Sequence, residues 1–331
     1  MKLPHWQFSN FAVGAATFAA FSFSLLAVTG PGAWSQAART IKIVVALPPG
    51  GAADIQARLM AEQISRTQGL PMLIENRPGA ANIIGTEAVS RAAPDGNALL
   101  LVTPAFVINP HVRKLNYDPL TSFEPICYLT RTPTVILVNS ASPYRTLADL
   151  IDAARGKPGE LTLAATGPAT LVQIAFEKFK RAANVNMTFV PYPGGATVIT
   201  ALLGGHVTSA FSDFPGAAEQ LKAGKLRALA AATHTRIEAL PDVPTVAESG
   251  YTDSEADLWY GLVAPAKTPK EMVSQLAGWF TTALQVPDLK VRLAVQGLYA
   301  VGTCGADFGT FLRKQYDEYG RVIRESNIKA E

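Results

Sequence analysis

The tetrapeptide Pro-Gly-Gly-Ala occurs twice, as Pro49-Gly50-Gly51-Ala52 and as Pro193-Gly194-Gly195-Ala196. The first copy follows the apolar run Ile41-Lys42-Ile43-Val44-Val45-Ala46-Leu47, the second follows Met187-Thr188-Phe189-Val190, and each opens a segment of helical spacing. Glycine supplies the backbone freedom for an abrupt strand-to-helix turn. The helix start beyond it exposes unpaired N–H groups at the positive end of the helix dipole, where a carboxylate or phosphate is stabilised. Two such units, far apart in sequence, point to two lobes closing on one small anion. The bland alternative is a tight turn and nothing more, since a lone glycine pair matches no specific phosphate fingerprint.

The same alternation runs through the chain. Strand-like apolar runs occupy residues 41–47, 72–75, 98–102, 123–129 and 134–138, and resume at 161–164, 187–190, 207–211, 226–231 and 258–264. Helical spacing appears at 52–67, where Ile55 and Leu59 share a face with Ile64 nearby, at 83–92 with Asn82 placed as N-cap, and at 171–183. Residues 306–328 put Phe308, Phe311, Leu312, Tyr319, Val322 and Ile323 on one stripe, which reads as a docking face. This pattern predicts an α/β fold with largely parallel sheets. Ligands on such sheets lie beyond the carboxyl ends of the strands, where both tetrapeptides fall. Asn139-Ser140-Ala141-Ser142-Pro143 reads as a crossing into a second lobe and the polar stretch 249–255 as the return. The expected division is lobe 1 at 38–142 plus 258–331, and lobe 2 at 143–257.

Lys2 is the one Lys, Arg, Asp or Glu before Arg39, and an apolar stretch runs from Phe11 to Thr29. Ser35-Gln36-Ala37 then fits a signal-peptidase site, so residues 1–37 read as a signal peptide and the mature chain as an exported, periplasmic protein. The stretch approaches bilayer-spanning length, which makes an uncleaved anchor the rival reading. Pro31-Gly32 and the small residues after it favour cleavage. A formal charge of +3 on 331 residues, with no basic stripe, argues against a nucleic-acid partner. Two cysteines, Cys127 and Cys304, are too few for a disulfide framework. They are expected to be unpaired and buried, with one long-range disulfide as the alternative.

Enzyme signatures are missing: no nucleophile elbow, no P-loop and no dinucleotide fingerprint. His111, His206 and His234 have no triad or ligand spacing and read as loop or surface residues; no Cys/His cluster suggests zinc. No catalytic residue, metal or cofactor is therefore assigned. Asp54 lies in a first helical turn, where the dipole stabilises it; it would compete with a bound anion, so it reads as structural. Arg77 can pair with a carboxylate in bidentate fashion or simply brace its turn. Asp213, after the run 207–211, braces a helix start or accepts a ligand amine or hydroxyl. Trp259 and Tyr260 suit either the hinge side of a cleft or ordinary packing.

Ordered motifs carry a resemblance. Val45-Ala46-Leu47-Pro48-Pro49-Gly50-Gly51-Ala52-Ala53-Asp54-Ile55, Glu75-Asn76-Arg77-Pro78-Gly79-Ala80 and Pro94-Asp95-Gly96 come first. Val190-Pro191-Tyr192-Pro193-Gly194-Gly195, Leu203-Gly204-Gly205, and Leu240-Pro241-Asp242-Val243-Pro244-Thr245 with Val246-Ala247-Glu248-Ser249-Gly250-Tyr251 follow. Trp259-Tyr260-Gly261-Leu262, Ala264-Pro265 and Thr268-Pro269 complete the order. Across the mature chain this resembles the Bug family, periplasmic solute-binding proteins of tripartite tricarboxylate transporters. The resemblance implies a two-lobed, type II periplasmic-binding-protein fold with a hinge. It also implies a small carboxylate ligand held largely by loop amides, hydroxyls and bridging water, and membrane transporter subunits as partners of a monomeric receptor. The chain departs from the family at Thr166-Gly167-Pro168-Ala169-Thr170, where Ala169 stands for a usual glycine and Gln173 for a usual histidine. Pro168 removes an N–H donor there, and Ala169 adds a Cβ. Thr170 either reaches the ligand or caps the following helix. The candidate ligand-binding residues are Pro49, Gly50, Gly51, Ala52, Thr103, Thr166, Gly167, Thr170, Pro193, Gly194, Gly195, Ala196 and Asp213. Two other outputs fit the same fold: a ligand sensor for a signalling partner, and an exported enzyme of small carboxylates.

Overall fold

Strand β1 (Ile41–Val45) shows how the sequence pattern becomes a layered core. Ile43 and Val45 point into one apolar cluster and Val44 into another on the opposite face, the period-two alternation of a strand covered on both sides. The computed structural model describes residues 40–252 and 254–330; the signal-peptide reading of residues 1–37 lies outside them. The strands that follow are β2 (Met72–Asn76), β3 (Ala98–Val102), β4 (Phe123–Thr132), β5 (Thr134–Asn139) and β6 (Thr162–Thr166). Then come β7 (Thr188–Tyr192), β8 (Ser209–Asp213), β9 (Leu226–Ala231), β10 (Leu258–Pro265) and β11 (Tyr299–Cys304). The helices are α1 (Ala52–Gln68), α2 (Ile83–Ser90), α3 (Ala105–Val112), α4 (Leu147–Gly156) and α5 (Leu171–Ala183). After them come α6 (Gly195–Leu203), α7 (Phe214–Lys222), α8 (Lys270–Gln285), α9 (Pro287–Val295) and α10 (Ala306–Glu325).

The strands form two sheets, β11-β4-β10-β3-β1-β2 and β7-β6-β8-β5-β9. Both are mixed, in keeping with a fold of two mixed or parallel-sheet lobes, with less parallel pairing than the strand–helix alternation alone suggests. β1 is parallel to β2 and β3, and β6 to β7 and β8. The strands at and around the crossing between the sheets, β4, β5 and β10, pair antiparallel. The physical reason is that a strand carrying the chain out of one sheet and into the next enters without a helical crossover, and parallel pairing needs such a crossover. β5, assigned from sequence to the first lobe, pairs with β8 and β9 in the second sheet. At the level of sheets the chain therefore crosses at Pro133, ahead of the junction expected after Ser142.

The crossing segments are tied together. Thr134 Oγ1 donates to Ala256 O at 2.9 Å, Ala232 N–H donates to Thr134 O at 2.9 Å, and Arg131 pairs with Asp257 at 2.7 Å. α10 lays Phe308, Leu312, Tyr319, Val322 and Ile323 onto the core, as its stripe predicted. Its polar side meets the other sheet's helix α5 through the ion pairs Lys178–Glu318 and Arg181–Glu325.

β11 had no clear strand signal, because Gly302 interrupts it and none of its residues is fully buried. It sets Cys304 directly opposite Cys127 on β4, and the two form a disulfide across 177 residues of sequence. This corrects the expectation of unpaired cysteines; sequence distance said nothing about strand register.

Candidate functional site

A cavity of about 390 Å³ opens between the two sheets at the carboxyl ends of β3, β6 and β8. Its wall is largely apolar, with Ile108, Leu171, Val172, Val198, Phe211 and Leu258 among the lining side chains. Into this wall are set a few polar groups, the usual build of a small-molecule site. They are Asn82, Thr103, Asn109 and Arg113 from the first sheet's loops and helix α3, and Thr134, Thr166, Thr170, Ser212 and Asp213 from the second.

Of the residues nominated from sequence, Thr103, Thr166, Thr170, Gly195 and Asp213 line this cavity. Gly167, Gly194 and Ala196 are chain neighbours of lining residues without lining it themselves, and Pro193 is one position further off. Pro49, Gly50, Gly51 and Ala52 lie outside the lining altogether. Both glycine turns do start helices, with Gly51 and Gly194 as extended N-cap residues. Each start already has a protein carboxylate beside it. At α1 the Gly50 N–H donates to Asp54 Oδ2 at 3.0 Å, and Arg58 completes the pair through Nε at 3.0 Å and Nη2 at 2.9 Å. The hydrogen bonds from Arg58, Gly50 and Asn76 outweigh burial and hold the Asp54 carboxyl below its ordinary range. At α6 a side chain built on Gly195 would begin 3.8 Å from Asp213 Oδ1. Asp54 is the structural turn residue its position suggested.

The loop Thr166–Thr170 spends its donors internally. Gly167 N–H bonds Tyr192 O at 3.3 Å, Ala169 N–H bonds Gln173 Oε1 at 2.8 Å, and Thr170 Oγ1 donates to Thr166 O at 2.7 Å. Thr170 also receives the Gln173 N–H at 3.4 Å, so it is the N-cap of α5 while facing the cavity. The start of α5, Thr170-Leu171-Val172, lines the cavity and brings the positive end of a 13-residue helix to it.

Asn82 occupies the N-cap position of α2 without capping it; its side chain donates to Thr103 Oγ1 at 3.3 Å. Ala80, Ala81 and Asn82 have φ of 47°, 52° and 76°, and Ala169 has 52°. Left-handed backbone costs an L-residue roughly 1–2 kcal/mol, and such strain gathers where a site needs a fixed geometry. Asn109, buried on α3, holds the bend by donating to Ala81 O at 2.7 Å.

Sequence reasoning missed Arg113. It stands just past the end of α3 in His111-Val112-Arg113-Lys114, which reads as a surface charge run. Its side chain lines the cavity, and its Nε is buried with no hydrogen-bond partner among the described residues. Asp213 faces the same cavity from the end of β8. Its carboxylate takes the Ser212 hydroxyl at 3.2 Å and forms no ion pair among the described residues. Burial pushes its carboxyl above the ordinary range; the Ser212 hydroxyl and its own backbone N–H pull weakly the other way.

The remaining candidates lie elsewhere. Arg77 pairs with Glu75 on the surface. Trp259 and Tyr260 are core residues, Trp259 meeting Phe311 edge-on at 5.5 Å, while their neighbour Leu258 reaches the cavity. His111 Nε2 is 2.9 Å from Tyr316 O in a packed helix contact, and His206 and His234 are exposed. Among the described residues no group of His, Cys, Asp and Glu is placed to hold a metal ion.

Comparison with known proteins agrees with this architecture. The profile of the tripartite tricarboxylate transporter family receptor, TctC, matches residues 56–328. The chain belongs to this family. Protein BugT of Bordetella pertussis is 30% identical over 295 residues, covering 88% of this chain and 90% of BugT. The structure of R. palustris Rpa4515 with adipate superposes with a TM-score of 0.76 at 29% identity, over 89% of this chain and 99% of that one. MatC from Rhodopseudomonas palustris with bound malate superposes with a TM-score of 0.70 at 28% identity, over 86% and 99%. The fold is thus the two-lobed periplasmic-binding-protein type, as the resemblance implied, and the chain is a solute-binding receptor rather than an enzyme. TctC-family members are periplasmic receptors, and no helix among the described residues is long and apolar enough to cross a membrane.

Proposed function

We propose that this TctC-family receptor captures a small carboxylate in the cavity between its sheets and delivers it to the membrane subunits of a tripartite tricarboxylate-type transporter. Arg113 is the observation that carries the reading. A half-buried guanidinium that faces a mostly apolar cavity, its Nε without a hydrogen-bond partner among the described residues, is set to receive a carboxylate as a two-pronged, charge-assisted pair. The start of α5 adds positive potential on the far wall. Adipate in Rpa4515 and malate in MatC point to the same ligand chemistry in relatives. Thr103, Thr166, Thr170, Gly195 and Asp213 contact the ligand in this reading. Gly167, Pro193, Gly194 and Ala196 shape the loops behind them. The turn Pro49–Ala52 belongs to the rim that approaches on closure.

The lobes, 38–142 plus 258–331 and 143–257 with β5 transferred to the second, close about the crossing strands as a hinge. Closure expels water and strengthens the Arg113–carboxylate attraction by lowering the local dielectric. Residues 1–37 act as a cleaved leader, and the monomeric receptor works in the periplasm. Thermal-shift measurement against mono-, di- and tricarboxylates, with adipate and malate included, tests the reading. A ligand at about a hundred times its dissociation constant stabilises the fold by roughly 2.7 kcal/mol. Absence of stabilisation by every carboxylate, at concentrations up to tens of millimolar, would refute it.

A further inference from the structure

Beside the crossing, a glycine from one sheet meets a proline from the other. Gly297 follows α9 in a left-handed conformation, φ 68°. Its N–H donates to Ala294 O at 2.8 Å and the Leu298 N–H to Leu293 O at 3.0 Å, with Leu293 and Leu298 buried in one cluster. A helix-ending turn of this kind usually takes glycine and sometimes asparagine. The space in front of Gly297 is narrower than that. A Cβ there would overlap Cγ of Pro215 and lie 3.0 Å from its Cβ and 3.2 Å from its Cδ.

Pro215 stands at the start of α7, two residues after Asp213, and the Phe214 N–H before it donates to Pro133 O at 2.8 Å. Two residues beyond Gly297, Tyr299 stands opposite Arg131 on β4, itself two residues short of Pro133. The contact is thus tied from both sides to the residue where the chain crosses between sheets. The ion pairs Lys178–Glu318 and Arg181–Glu325 also bridge the helices of the two sheets, but through long side chains that follow a hinge motion. A glycine backbone against a proline ring has no such slack. Neither Gly297 nor Pro215 lines the cavity.

Resting on the hinged-receptor reading above, we infer that Gly297 is a positioning residue for ligand capture. Its missing side chain lets the first lobe seat on Pro215. That seat fixes the lobes where Arg113 from one and Thr166, Thr170 and Asp213 from the other line a single cavity. A side chain at 297 wedges the lobes away from this arrangement. The fraction of molecules with an assembled cavity falls, and every ligand loses affinity by the same factor, because no ligand contact has changed.

Titration calorimetry on the full mature chain tests this, with the two carboxylates that give the largest thermal shifts in the screen above, adipate and malate among the probes. Gly297→Ala should weaken both by a common factor of roughly ten, within the range of overpacking a close contact. Adding Pro215→Ala removes Cγ and Cδ and should bring affinity back to within about threefold of Pro215→Ala alone. Gly69→Ala is the control: it lies past the end of α1 at φ 64° with nothing within 4 Å of a Cβ, bears the same backbone cost, and should bind as wild type does. In the wild type, ligand saturation should also slow amide exchange over residues 214–218 and 295–299, a measurement that stands even if a variant does not fold. Normal binding by Gly297→Ala overturns the inference and leaves the receptor reading standing. So does a loss shared by Gly69→Ala, a loss that Pro215→Ala does not relieve, a loss for one ligand only, or unchanged exchange. If no carboxylate binds the wild type, both readings fall together.

Discussion

Replacing Arg113 by methionine should make the unliganded protein more stable while removing most of its ligand affinity. The buried Nε of Arg113 has no hydrogen-bond partner among the described residues and so bears a desolvation cost. An unsatisfied buried polar group costs about 1–3 kcal/mol. The Arg113 side chain is half-buried rather than fully enclosed, so the lower end, about 1 kcal/mol, is expected. Methionine keeps much of the length and apolar stem beside a largely apolar cavity wall without the charge. For a protein of this size that gain corresponds to a rise in Tm of about 2 °C. Loss of the charge-assisted pair should weaken binding of the best carboxylate by roughly ten- to a hundredfold. Arg113→Lys keeps the charge without the planar fork and should fall between the two. Differential scanning calorimetry without ligand, and titration calorimetry with the carboxylate that gives the largest thermal shift, measure both halves. A variant that is less stable and binds normally would refute the reasoning, because Arg113 would then be a structural residue facing away from the ligand.

Three further outcomes are expected. Because burial raises the folded-state pKa of Asp213, the native state keeps a proton there that the unfolded chain has already released, and stability falls as pH rises through that interval. Asp213→Asn should therefore match wild type near pH 3, about a unit below the ordinary Asp value, and gain in relative Tm toward neutrality; a constant difference across pH would contradict the burial argument. Gly51→Asp should leave affinity within about threefold, and Gly195→Asp should lower it by roughly tenfold or more. The first turn lies outside the cavity, whereas the second would put a new carboxylate beside Asp213; equal effects in calorimetry would restore a two-turn site. Unreduced, denatured protein should show no thiol at Cys127 or Cys304, and Cys304→Ser should cost about 2–4 kcal/mol in urea unfolding. A free thiol on mass spectrometry would remove the disulfide.

Local pattern determined much of this protein. The period-two run at Ile41–Val45, the helical spacing of α1 and α5 and the stripe on α10 are short-range signals, and each element formed where its residues required it. The helix starts after β6 and β8 and their residues Thr166, Thr170 and Asp213 were legible for the same reason, since a strand end feeding a helix places its turn at the sheet's ligand edge. What spacing cannot encode is which strands become neighbours. β5 joined the second sheet, Cys304 met Cys127, and Arg113 left an ordinary charge run to line the cavity. All three depend on strand register and on the packing of segments far apart in sequence, 177 residues in the case of the cysteines. The glycine turns show the limit most clearly. Their sequence made two anion-ready helix starts; Asp54 in the first turn of one was legible from its place, but only the packed structure set Asp213 beside the other. A dipole's preference for negative charge is satisfied equally by a ligand or by the protein's own carboxylate, and tertiary geometry decides between them.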